Sequence, residues 1–159
     1  MDTSVTIIGL VLTLVVAIPI YFVLRAQKVD KSRITTLFAQ HNQNNQYQFQ
    51  IVANQGRKVL GMDSRNKGLL FIDLNLKEPF VSFHDLTQSQ SCEVATSSPQ
   101  GRANVLKRIE WIFMSKNGKT TDNSITFHDS DKNYIVPVYA YEELKLAQEW
   151  QQTIQKHLQ

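Results

Sequence analysis

The sequence predicts an α+β chain: a single transmembrane helix, a short helix, then an antiparallel β core closed by a C-terminal helix. Three observations predict it. The stretch from Val5 to Leu24 carries no charge. The apolar spacing changes from three or four residues to two at Tyr47, and back again at Tyr141. Clusters of Asn, Asp, Ser, Gly and Pro separate the alternating segments, as turns between short strands require.

The first element is the apolar run. At a helical rise of about 1.5 Å per residue it reaches about 30 Å, the thickness of a bilayer's hydrocarbon core. A cleavable signal peptide would have basic residues before the run and small residues after it. Here Met1-Asp2-Thr3-Ser4 precedes it, and Tyr21-Phe22-Val23-Leu24-Arg25 ends it, so an uncleaved anchor is expected. Arg25, Lys28, Lys31 and Arg33 all follow the run and no Lys or Arg precedes it. That asymmetry orients the C-terminal part towards the cytoplasm, with Tyr21 and Phe22 at the interface.

Ser32 is the expected N-cap of a short helix in which Ile34, Leu37, Phe38 and His41 recur at helical spacing. Tyr47, Phe49 and Ile51 then alternate with Gln48 and Gln50, as on a half-buried strand. Val59 to Met62 and Leu69 to Leu74 flank the polar turn Asp63 to Gly68 and predict a hairpin. Phe80 to Phe83 predicts a strand running into His84-Asp85-Leu86, and Cys92 to Thr96 another. Val105 to Met114 places Ile109, Trp111 and Phe113 on one face and returns, through a turn at Asn117-Gly118, along Ser124 to Phe127. Tyr134 to Val136 is a short strand at most, because Pro137 cannot donate to a ladder. Tyr141, Leu144, Ala147, Gln151, Ile154 and Leu158 complete the chain as an amphipathic helix, with Lys156 and His157 in a last turn that suits the helix dipole.

The expected organisation is an extracytoplasmic N-terminus at 1–4, the transmembrane helix at 5–24, a basic juxtamembrane segment with the short helix at 25–45, and one domain at 46–159. Beyond the anchor remain roughly 135 residues, enough for one core without metal or disulfide. Cys92 is the single cysteine, so no intrachain disulfide can form. A net charge of +3, most concentrated beside the anchor, calls for no nucleic-acid partner.

The β segments also resemble a family. Val59-Leu60-Gly61-Met62-Asp63 and Leu69-Leu70-Phe71-Ile72 are similar to the opening hairpin of small bacterial pleckstrin-homology-like (PH-like) domains. Val81-Ser82-Phe83-His84-Asp85-Leu86, leading to Cys92-Glu93-Val94, resembles their next corner. The hairpin through Asn117-Gly118 and the helix Leu144 to Leu158 resemble their last hairpin and capping helix. The resemblance implies a β-sandwich or barrel closed by that helix, in a protein of the bacterial inner (cytoplasmic) membrane that binds or scaffolds. Phosphoinositide-binding relatives use several basic residues near their first hairpin, where this chain has Arg57 and Lys58.

No catalytic, cofactor or metal site assembles from the motifs. Gly118-Lys119-Thr120 lacks the glycine that a phosphate loop needs five residues before Gly118, where Phe113 stands. Asp129-Ser130-Asp131-Lys132-Asn133 opens like a calcium loop, yet Tyr134 and Ala140 occupy its glycine and closing glutamate positions. His84-Asp85 and His128-Asp129 both follow a Phe and would have to meet to bind zinc or move protons. Cys92 has no His partner in view, and Trp111, Phe113, Trp150, Phe80 and Phe83 fit core positions.

The expected function is therefore a membrane-anchored, non-enzymatic binding or scaffolding module. It would use a sheet edge or the open end of the sandwich to contact protein or peptide partners, with no small-molecule substrate or cofactor. The alternative is lipid-surface sensing through Arg25, Lys28, Lys31, Arg33, Arg57 and Lys58, joined by Arg65 and Lys67. An enzyme with an unrecognised site is the third reading.

Overall fold

The computed structural model describes residues 12, 13, 15–19, 21, 31–42, 46–76, 78–98, 106–115, 124–132 and 137–158. The chain divides into two compact units, Met1–Ala39 and Gln40–Gln159.

Residues 12, 13, 15–19 and 21 are helical, as are residues 31–40, called α1. Lys31 is already helical, so Ser32 lies inside α1 instead of capping it. The hydroxyls of Thr35 and Thr36 donate to the carbonyls of Lys31 and Ser32, at 3.0 and 3.1 Å. No helix among the described residues is long and apolar enough to cross a membrane. The transmembrane part of the predicted fold, its single-pass character and its inner-membrane location are corrected accordingly. Of the residues named for the anchor, Val5, Phe22 and Leu24 lie outside the described set, and Tyr21 is helical and exposed.

The second unit holds two antiparallel sheets. The first contains β1 (Gln50–Gln55), β2 (Lys58–Asp63), β3 (Gly68–Asp73) and β4 (Phe80–Asp85), in that order. A one-turn 3-10 helix, Leu86–Gln88, leads to the second sheet, ordered β5 (Ser89–Ser97), β6 (Arg108–Ser115) and β7 (Ile125–Asp129). The helix α2 (Pro137–Leu158) packs against β5, β6 and β7. Pro137 opens this helix, where its missing N–H is no loss. The strand expected at Tyr134 to Val136 lies outside the described residues.

Alternation explains the core. Leu60 and Met62 of β2 and Leu69 and Phe71 of β3 meet Ile109, Trp111 and Phe113 of β6, with Leu146, Ala147, Trp150 and Ile154 of α2 completing the cluster. The Trp111 indole donates to the Ala147 carbonyl at 3.0 Å, which fixes the helix over the sheet. At the β5 edge two amides act for a missing strand: the Cys92 N–H donates to Gln155 Oε1 at 3.0 Å, and Gln151 Nε2 donates to the Cys92 carbonyl at 2.7 Å. Val59, Leu70 and Ile72 alternate with the core residues and are also fully buried, so β2 and β3 are covered on both faces.

Two turns set the registers. Gln55 pairs with Lys58 across Gly56 and Arg57, both left-handed at φ of 59° and 60°, the two-residue turn whose twist suits a hairpin. Between β2 and β3 the Asp63 carboxylate accepts from the N–H groups of Arg65 and Asn66, at 2.8 and 3.1 Å. It also accepts from Asn66 Nδ2 at 2.9 Å and the Gln48 N–H at 2.7 Å.

Candidate functional site

Lys58 follows the β1–β2 turn, and strand alternation sends it to the same side as Leu60 and Met62. Its side chain is fully buried. The ammonium contacts the Glu143 carboxylate of α2, lies 3.9 Å from Asp73 Oδ2 and sits 4.5 Å from the centre of the Phe127 ring. A buried ammonium is tolerable only with such partners. Lys58 therefore does not face a lipid surface, where the sequence reading placed it.

A bulge in β7 supplies the next group. Ile109 pairs with His128 while Glu110 pairs with Thr126, which leaves Phe127 as the extra residue. Both Phe127 and His128 are consequently buried, against the strict alternation of the sequence. His128 Nδ1 has no hydrogen-bond partner among the described residues. Burial and then the nearby Lys58 charge lower the His128 pKa, outweighing the opposing effects of Glu143, Asp129 and Asp73. Asp129 is buried as well. It accepts from Arg108 Nη2 at 3.1 Å and from the Asp131 N–H at 3.0 Å, and these bonds hold its carboxyl below the usual range although burial pushes it up.

Beside this cluster is a cavity of about 20 Å³, lined by Asp73, Leu76, Phe80, Thr126, Phe127, His128, Asp129 and Lys132. It has room for about one water molecule. The cluster can hold charge and position a water.

The two His-Asp pairs do not meet. His84 pairs with Leu69 at one end of β3 and stacks on Phe113, whereas His128 lines the cavity with Asp73, at the other end. Four residues of strand, about 13 Å, separate Leu69 from Asp73. His84 Nε2 lies 3.1 Å from Ser89 Oγ, and burial lowers its pKa despite the Asp85 charge. Asp85 caps the 3-10 turn by accepting from the Thr87 N–H at 2.9 Å. No group of three His, Cys, Asp or Glu able to hold a metal ion occurs among the described residues.

Asp129 to Lys132 form a hydrogen-bonded turn, with Asp131 2.9 Å from the Lys107 ammonium. Cys92 is 1% exposed, and burial pushes its thiol up to about 12. Lys31, Arg33 and Arg57 are exposed, while Arg25, Lys28 and Gly118-Lys119-Thr120 lie outside the described residues. Lys67 donates to the His157 carbonyl at 2.7 Å, so it serves the end of α2.

What the sequence reading missed is the edge. Tyr47 and Phe49 leave the strand and stack at 5.7 Å, with Tyr47 edge-on to Phe83 at 4.9 Å. Ile51, expected on their buried face, is 50% exposed, and Val52 is 37% exposed at a bulge. Gln50–Gln55 contains no charge and no proline, and it is the outermost strand of its sheet. Gln48 and Gln50 at its start line a cleft of about 260 Å³ together with Met62, Asp63, Ser64 and Arg65. An uncharged QIVANQ run was the available signal, but strand order decides which run is at the edge.

In comparisons with protein families, curated proteins and solved structures, nothing matches this chain. No relationship to PH-like domains is identified.

Proposed function

We propose that the unit Gln40–Gln159 is a non-enzymatic binding module that adds an extended segment of a protein partner to the free edge of β1. The observation that carries this reading is the exposed, uncharged and apolar edge at Ile51 and Val52. Sheet edges are normally blunted by Lys, Pro or inward charges, and an unblunted one is a template for strand addition. In a two-residue hairpin the closing pair, Gln55 and Lys58, bonds to each other, so Ala53 also faces β2 and Asn54 directs its N–H and C=O outward. Across the bulge Ile51 takes the outward direction.

The test is amide hydrogen exchange on the full chain with peptides selected from a random library. Bound peptide is expected to slow exchange at Ile51 and Asn54, and Ile51→Lys is expected to weaken binding about tenfold. Protection confined to other strands, or unchanged affinity in Ile51→Lys, overturns the reading.

A further inference from the structure

We infer that the cleft at the start of β1 captures the free C-terminal carboxylate of the added strand. The inference rests on the β1-edge reading and adds a chemical end and a direction to it. An antiparallel strand laid on β1 runs its C-terminus towards Gln50 and Gln48, two residues of the cleft lining. Antiparallel addition also forms the more stable ladder. At about 260 Å³ the cleft suits the end of a chain.

Its lining supplies the donors. Arg65 is exposed in the β2–β3 turn, and among the described residues its guanidinium makes no ion pair or hydrogen bond. The side-chain amides of Gln48 and Gln50 and the Ser64 hydroxyl are likewise unengaged. Asp63 is the one carboxylate in the lining, and its oxygens are taken by Gln48, Arg65 and Asn66. Arg65 is therefore the cation available, and its planar fork matches a carboxylate. A chain's terminal ammonium would instead meet that guanidinium as a like charge, while the Asp63 oxygens already accept four hydrogen bonds, which disfavours the parallel direction.

Two random hexapeptide libraries, one ending in the free acid and one in the amide, test this against the full chain by fluorescence polarisation. Free-acid peptides are expected to bind about tenfold tighter than their amides. Arg65→Gln is expected to abolish that difference with an unchanged melting temperature, and Arg65→Lys to keep part of it. Equal binding of acids and amides overturns the carboxylate inference and leaves the β1 reading standing. An acid preference that survives Arg65→Gln overturns the assignment to this cleft. Absence of binding from both libraries overturns both readings.

Discussion

The Lys58 ammonium of β2 and the Glu143 carboxylate of α2 meet inside the core, with Asp73 3.9 Å from the same ammonium. They add a charged tie between the first sheet and α2, whose Trp150 also meets Phe71 of β3. Removing one partner of a buried pair strands the other. Lys58→Met is expected to cost about 3–5 kcal/mol in urea unfolding, and Glu143→Gln in that background to recover part of it. A loss under about 1 kcal/mol would mean that the pair contributes little beyond its packing.

Two glycines test two different constraints. Gly56 has φ of 59° and nothing near its missing Cβ, so Gly56→Ala carries only the left-handed strain of about 1–2 kcal/mol. A Cβ on Gly68 would lie 2.5 Å from Tyr47 Cδ1 and 3.2 Å from Phe49 Cε1. Gly68→Ala should cost about 1–3 kcal/mol by overpacking, and it alone should disturb the tyrosine near-ultraviolet signal.

Stability should fall as pH drops from 7 towards 5. The pKa values of His84 and His128 are lowered by burial, so just below pH 6.5 the unfolded chain binds protons that the folded chain refuses. Their contribution is complete above the unfolded value and is lost as pH falls towards the folded one. Chemical denaturation of a His84→Leu, His128→Leu double variant should show a flatter slope across that interval. An unchanged slope would place the pH dependence elsewhere.

Cys92 should resist thiol reagents in the folded protein. Its thiol is buried and pushed up to about 12, so almost no thiolate is present at pH 8. Labelling should then follow local opening at β5. Gln151→Ala and Gln155→Ala, which remove the amides bonded to the Cys92 backbone, are expected to destabilise by about 1–3 kcal/mol each and to speed labelling. Labelling of the parent protein as fast as a small free thiol would contradict this placement.

Much of the β unit was legible along the chain. The Val59 to Met62 and Leu69 to Leu74 hairpin, the strand through Ile109, Trp111 and Phe113, and the helix through Leu144 and Ile154 appear where their spacing put them. Those signals are local: a period of two or of 3.6, and turn residues that bond to their own backbone, as Asp63 and Asp85 do. The candidate sites were much less legible. Nothing in the alternation around Ile51 marks it as exposed, and nothing beside Lys58 marks it as buried.

By itself the sequence determined the kinds of elements in the β unit, their order and most turns, because those depend on residues a few positions apart. Tertiary structure decided what each surface is for. Strand order left β1 at an edge, the β7 bulge turned His128 inward beside Phe127, and the approach of Glu143 and Asp73 allowed Lys58 into the core. It also kept the two His-Asp pairs at opposite ends of β3. These outcomes rest on pairings between residues distant along the chain, such as Lys58 and Glu143, whose energies exist only once the sheets and helix come together.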